Sequence, residues 1–344
     1  MMACEGDLIK IKDNVFFDVK GLVHPPNQVV AFPRFIPTSK GTRRDKDALY
    51  GKVYSLSDRF KYLQENHPEL IVYDPVFGET MCEVPINQIT KHYHPVEKLA
   101  TLRKTQNLTA LENKALHLAT ELKEKAGIPW NAIGISGSIM VGLVTEKSDI
   151  DPLVYGIENS RKAYAALKEL LKTEESSFKP YNQMELHALF DFRSKDTQMK
   201  FDDFEIIESR KAFQGMFKGT DYFVRFVKDW SETTEQYGNV CYSNSGYAKI
   251  RASIADASDS LFTPCTYRLK EVAVAEGPKI SPITEITSFR GRFCEQIPTN
   301  LSDPPTVEAQ GKVELVTDNR SGETHYRLII GNKPTDYMVI KYKN

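Results

Sequence analysis

The sequence predicts an α+β protein in which an α/β core lies between two β-rich flanking regions. Three observations carry this. Short apolar and aromatic runs broken by turn residues fill both ends of the chain, helically spaced apolar residues are concentrated in the middle, and strand-sized runs alternate with those helices there. The composition changes place a β-rich N-terminal domain at 1–95, the core at 96–235 and a β-rich, small barrel-like C-terminal domain at 236–344.

Residues 8–36 (LIKIKDNVFFDVKGLVHPPNQVVAFPRFI) alternate apolar runs with turn residues, a strand-and-turn signature. TSKGTRRDKDALYGK follows, a polar and basic loop with Arg43 and Arg44 at its centre. Ser57 opens a short helix that Pro68 closes, and IVYDPVFGETMCEVP returns to strands. Over 109–125, Leu111, Ala115, Leu118, Ala119 and Leu122 recur at helical spacing. Thr109 with Glu112 has the form of a capping box, and Gly127 and Pro129 stop the helix. AIGIS at 132–136 is a short buried strand, SDIDPLVYG supplies another, and 160–172 is a helix with Ala163, Ala166, Leu167, Leu170 and Leu171 along one side. Residues 182–216 read as largely helical and DYFVRFV at 221–227 as a strand. Beyond residue 240, YAKIRASI, CTYRLKEVAV, ITSFRGRF, KVELV, HYRLII and YMVIKYK are separated by Gly, Pro, Asn and Asp clusters, and a small barrel or sandwich is their natural closure.

Composition bounds the function. The 344 residues suit two or three domains at about 100–200 residues each. A formal net charge of −1 argues against a protein that coats nucleic acid non-specifically, so any polyanion must be bound locally. Cys4, Cys82, Cys241, Cys265 and Cys294 are odd in number, widely spaced and without a C-x-x-C pair, which argues against a disulfide framework and a cysteine zinc site. The N-terminal residues lack a secretory signal, and no apolar run approaches the roughly 20 residues that span a bilayer. A cytoplasmic protein without a membrane partner is expected.

The stretch GISGSIMVGLVTEKSDIDPLVYG at 134–156 carries the chemistry. With 133–136 as a strand, Gly137-Ser138 opens a helix whose free N–H groups and Ser138 hydroxyl suit phosphate, and glycine leaves room for close approach. Asp149 and Asp151 follow at i and i+2, a spacing that on a strand sends both carboxylates to one face and Ile150 to the other. Two carboxylates held together repel unless a cation neutralises them, and hard oxygen ligands beside a triphosphate suit Mg2+ or Mn2+. A turn glycine, a capping serine and two surface aspartates would be the plain alternative, but composition alone rarely produces the order strand, Gly-Ser helix start, acidic strand.

Gly137-Ser138 followed by Asp149-Ile150-Asp151 resembles the signature of the polymerase beta type nucleotidyltransferase superfamily. The flanking segments FDVKGLVHPP, KVYSLSDRF, HYHPVEKL, GTDYFVRFV and FTPCTYRL resemble an archaeal family of predicted nucleotidyltransferases along nearly the whole chain. The resemblance implies a polymerase-beta-like core. Its activity would be metal-dependent transfer of a nucleoside monophosphate from an NTP to an acceptor hydroxyl, with release of pyrophosphate. Asp149 and Asp151 would hold the ions, Gly137 and Ser138 the β and γ phosphates. The third carboxylate that active relatives carry on a neighbouring strand falls first on Asp221, whose strand face also presents Arg225 to a phosphate. Asp256 is the runner-up, and Asp191, Asp202, Asp203 and Glu205 stay open. RNA, a protein hydroxyl and a small molecule all remain acceptors, and a catalytically silent nucleotide- or RNA-binding module is the competing class. Pro152, where related strands carry an aliphatic residue, predicts an edge position or a bulge.

Other features read more plainly. His92 and His94 share a face if extended, but no carboxylate or cysteine completes a metal set, so packing or surface histidines are expected. Lys40, Arg43, Arg44, Lys46 and Lys52 are interrupted by Asp45 and Asp47 and read as a solvated loop rather than an RNA track. Phe289, Arg290, Arg292 and Phe293 combine aromatic and basic groups as single-strand binders do, although strand alternation buries some of them.

Overall fold

The alternating N-terminal runs form an antiparallel sheet in the computed structural model, which describes residues 2–45, 48–195, 197–297 and 305–341. Its strands lie in the order Arg43–Asp45, Ala48–Lys52, Gln28–Pro37, Phe16–Val19, Leu8–Ile11 and Ile89–Tyr93. One face buries Leu8, Phe16, Phe35 and Tyr50 together with Met140 and Leu143, so the sheet is packed directly onto the Gly-Ser segment. Phe16 meets Phe35 and Tyr50 edge-on, at centroid distances of 6.3 and 5.5 Å.

The chain divides into two compact units, the first comprising Met1–Val72, Cys82–Tyr181 and Ala212–Thr234, the second Tyr73–Met81, Asn182–Lys211 and Glu235–Asn344. The first unit therefore joins most of the β-rich N-terminal region to the α/β centre.

In that centre Pro152–Tyr155 is the middle strand, antiparallel to Ile133–Ile135 and parallel to Arg225–Val227. Helix Ala110–Ala126 packs on Ile133–Ile135 and on helix Ile157–Leu170. Its buried residues are Ala115, Leu118, Ala119 and Leu122, its start carries the Thr109–Glu112 capping box, and Gly127 closes it in the left-handed region at φ +63°. Burying each of the two leucines stabilises the unit by roughly 1.5–3 kcal/mol. The helix Leu56–Asn66 is capped by Ser55, whose hydroxyl accepts from the Asp58 N–H, not by Ser57. Pro152 sits neither at an edge nor on a bulged strand. It heads the central strand, and beside it Thr220–Phe223 and Arg225–Val227 are separated at Val224, whose N–H donates to the Phe213 carbonyl at 2.7 Å on the side away from Pro152.

In the second unit residues 182–211 contain two short helices, Gln183–Arg193 and Phe201–Glu208, whereas the end of the stretch 182–216 expected to be helical enters the strand Gln214–Phe217 of the first unit. Strands Val240–Asp256, Cys265–Glu276, Ile283–Ser288, Thr324–Ile329 and Thr306–Asp318 pair in that order, and Val240–Asp256 also pairs with Thr306–Asp318. The ring is thereby closed, with Tyr337–Lys341 added outside Thr306–Asp318. Among the described residues no helix is long and apolar enough to cross a membrane.

Candidate functional site

Asp149, Ile150 and Asp151 are held extended by backbone bonds on both sides. The Ile150 N–H donates to the Asp221 carbonyl at 2.9 Å, the Phe223 N–H to the Ile150 carbonyl at 3.0 Å, and the Ser136 N–H to the Asp151 carbonyl at 2.9 Å. Ile150 is fully buried, so alternation turns the two carboxylates to the other face. That face looks toward Gly137. A Cβ placed on Gly137 would lie 1.9 Å from Asp151 Oδ2, and the residue adopts φ +62°, so both space and backbone demand glycine. Next to it Ser138 is 1% exposed, and its hydroxyl has no hydrogen-bond partner. The helix it begins, Gly137–Val141, is only five residues long.

The segment between the helix and the aspartates is fastened from the N-terminal sheet. Buried Arg43 donates from Nη1 to the Leu143 carbonyl and, at 3.2 Å, to the Ser148 hydroxyl, which also accepts from the Thr145 N–H at 2.8 Å. Arg43 is thus a structural anchor, not part of a solvated loop; Arg44 and Lys40 are exposed, and Lys46 and Asp47 lie outside the described residues. The Ser136 hydroxyl donates to the Gly6 carbonyl at 2.6 Å, tying the N-terminal segment to the strand end.

Electrostatics single out Asp151. Burial, and then the Asp149 charge, push its carboxyl up to about 6, against the pull of Lys52, Arg225 and Arg34. Asp18, inside the wholly buried strand Phe16–Val19, shares two of those cations. Burial pushes Asp18 up, but Lys20 first, then Arg225, Arg59 and Arg34, override it and hold the carboxyl well below the ordinary range. Lys20 reaches Asp18 at 2.8 Å and Glu5 at 3.2 Å, and Arg225 reaches Glu5 at 2.9 Å. Arg225 is therefore tethered through a buried glutamate, not free to swing.

A hard divalent ion fits the donor set at Asp149 and Asp151. Burial and the Asp149 charge raise the cost of ionising Asp151, which a cation would relieve, and the Ser138 hydroxyl, one residue after Gly137, is buried without a partner. Asp221 is placed less tightly. Its carbonyl receives the Ile150 bond and the parallel Ile150–Tyr222 bridge aligns it laterally with Asp149, yet the residue is exposed. Among the described residues, the group of three His, Cys, Asp or Glu side chains whose ligand atoms lie within 4.8 Å of one another is Asp7, His92 and His94, not a group containing Asp149, Asp151 and Asp221. Asp256 belongs to the second unit, where its carboxylate accepts from the Ser258 N–H and hydroxyl at 2.9 and 2.8 Å. Asp191, Asp202, Asp203 and Glu205 lie on the two helices of that unit. There too Phe293 is buried and Phe289 is 41% exposed, while Arg290 donates from Nε to the Gly331 carbonyl at 3.2 Å.

The chain is 28% identical over 347 residues to the uncharacterized protein MJ1086 of Methanocaldococcus jannaschii, an alignment covering 97% of this chain and 98% of the relative. The archaeal likeness thus extends through both units. No protein-family model matches the chain. No solved structure matches it.

The flank supplies residues that local sequence reading missed: Glu5, Asp18, Lys20, Arg34 and Arg59, with Lys52, read from sequence as a loop residue, beside them. One signal was available. Asp18 interrupts a run whose four residues are all buried, and a charge at such a position calls for partners. Asp7 was likewise invisible as a companion of His92 and His94, because it lies just before a strand distant in the chain.

Proposed function

We propose that this protein is a divalent-metal-dependent nucleotidyltransferase, transferring a nucleoside monophosphate from an NTP to an acceptor hydroxyl with release of pyrophosphate. RNA is the acceptor class to test first. The observation that carries the reading is the Asp149–Asp151 pair backed by Gly137 and the unpartnered Ser138 hydroxyl, within the field of Lys52, Arg225 and Arg34.

Asp149 and Asp151, with Asp221 as the proposed third carboxylate, would hold Mg2+ or Mn2+, which supplies charge that polarises the phosphates and acidifies the acceptor hydroxyl. Ser138 donates its hydroxyl to a terminal phosphate oxygen, and Gly137 lets that phosphate approach the backbone. Lys52 and Arg34 offset the polyphosphate charge, while Glu5 fixes the direction in which Arg225 presents its guanidinium. The acceptor oxygen forms a bond to the α-phosphorus as the bond from that phosphorus to pyrophosphate breaks, and the acceptor proton passes to solvent.

A second reading, a catalytically silent nucleotide- or RNA-binding module on a polymerase-beta-like core, draws support from the exposure of Asp221. Transfer of α-labelled ATP, CTP, GTP and UTP to total RNA and protein, with Mg2+ or Mn2+, separates the two. Label transferred by the native chain but not by the Asp149→Asn, Asp151→Asn double variant supports the transferase. Metal-dependent nucleotide binding without transfer sinks it and favours the binding module.

A further inference from the structure

Strand Leu8–Ile11 pairs antiparallel with Ile89–Tyr93, matching Leu8 to Tyr93 and Ile9 to His92. Continuing that register by one residue sets Asp7 opposite His94, and alternation puts Asp7, His92 and His94 on one face, away from the side on which Leu8 enters the core. The result is a convergence on one oxygen. His92 Nε2 lies 2.8 Å and His94 Nδ1 3.5 Å from Asp7 Oδ2, and the two imidazole rings are 3.8 Å apart between centroids.

Two histidines and a carboxylate meeting at these distances match the donor spacing of a tetrahedral ion. With metal–ligand bonds of about 2.0–2.1 Å, the edge of a tetrahedron is about 3.3–3.4 Å, between the two observed distances. The environment is asymmetric in the way an accessible site requires. The Asp7 side chain is 2% exposed and His92 11%, whereas His94 is 37% exposed, which leaves a route for an ion and a fourth position for water. Asp7 is also fixed by its surroundings, because its Oδ2 accepts the Cys4 N–H at 3.1 Å. The two imidazoles distinguish this donor set from the all-oxygen set at Asp149 and Asp151: nitrogen donors select a borderline transition ion over Mg2+.

We propose that Asp7, His92 and His94 form a binding site for a borderline divalent cation of the Zn2+ class, separate from the carboxylate pair. The site staples the N-terminal segment to the strand Ile89–Tyr93. That segment carries Glu5, the anchor of Arg225 and Lys20, and Gly6, the acceptor for Ser136, so the ion steadies residues that border the carboxylate pair. The inference does not depend on the transferase reading.

The test is a competition titration of the full chain with Zn2+ against a chromophoric chelator, in excess Mg2+. The native chain and the Asp149→Asn, Asp151→Asn variant should each take up Zn2+ at this site with the same affinity. The His92→Asn, His94→Asn variant should lose affinity by more than the roughly 10–100-fold that removal of an outer partner of a ligand produces. Asp7→Asn, which keeps the side-chain shape, should weaken binding in the same direction. Co2+ bound to the native chain should give the visible bands of a tetrahedral ion, and Zn2+ should raise the thermal midpoint of the native chain and not of the histidine variant. Circular dichroism of each apo variant separates lost ligands from lost fold. Native chain that takes up no Zn2+ at micromolar concentration, or a folded histidine variant that binds Zn2+ as tightly as the native chain, overturns the proposal and leaves a hydrogen-bonded Asp–His cluster.

Discussion

Replacing Asp151 by Asn should stabilise the metal-free protein, an unusual outcome for a change at a half-buried polar position. The folded carboxyl titrates at about 6, against 3.8 for the ordinary group, because of burial and of Asp149. A rise of about two units is worth about 3 kcal/mol at about 1.4 kcal/mol per unit, and partial solvent access at Asp151 reduces this to about 1–2 kcal/mol. The sign follows from linkage. The folded state binds this proton more tightly than the unfolded chain, so the contribution of Asp151 to native stability is greatest below about pH 4 and is lost as pH rises to about 6, after which the loss is constant. Asparagine cannot ionise, so the variant escapes that loss. Thermal unfolding in EDTA at pH 7.5 should show a midpoint raised by about 2–8 °C, given about 2–4 °C per kcal/mol for a unit of this size, and the advantage should vanish near pH 4. With Mg2+ the order should reverse, because a cation relieves the repulsion only in the native chain. A variant less stable than the native chain at pH 7.5 in EDTA, or a gain that does not change with pH, would refute the electrostatic account of the pair.

Three further outcomes follow from the geometry. Gly137→Ala places a Cβ against Asp151 Oδ2 in a left-handed backbone, a conformation that costs about 1–2 kcal/mol for a non-glycine residue; the thermal midpoint should fall modestly, and equilibrium dialysis should show ATP affinity lowered by about tenfold or more. Arg43→Met keeps the bulk but removes the donors to Leu143 and Ser148, with an expected loss of about 1.5–3 kcal/mol in denaturant titration and faster amide exchange over 143–149. In the second unit Glu208 holds Arg193 and fully buried Lys211, whose ammonium burial pulls its pKa down; Glu208→Ala should cost about 3–5 kcal/mol in the transition of that unit, and Lys211→Met in the same chain should recover part of it.

Local patterns were the legible part. The helix at Ala110–Ala126 was readable because its apolar stripe, capping box and closing glycine all lie within one stretch of chain. Gly137, Ser138, Asp149 and Asp151 were readable for the same reason: one strand, one turn and an i, i+2 spacing state their relation without help from elsewhere. The interior position of Pro152 could not be foreseen, since it depends on a partner strand, Arg225–Val227, far along the chain. Nor could the role of Arg43, which looked like one charge in a basic loop until the sheet brought it to Leu143 and Ser148.

What the sequence by itself determined is therefore the strongly periodic elements and the spacing of the acidic pair from its glycine and serine, not the strands Arg43–Asp45, Ala48–Lys52 and Gln214–Phe217, because backbone periodicity and side-chain alternation are properties of neighbouring residues. Which charges surround that pair, and which carboxylate meets His92 and His94, were decided only by the tertiary structure. Glu5, Asp7, Asp18, Lys20, Arg34 and Lys52 come from strands and their flanking turns far from 149–151 in the chain. Antiparallel register and the burial of a shared core bring them to their partners, and in a low-dielectric setting those long-range contacts set the energies of ionisation and binding.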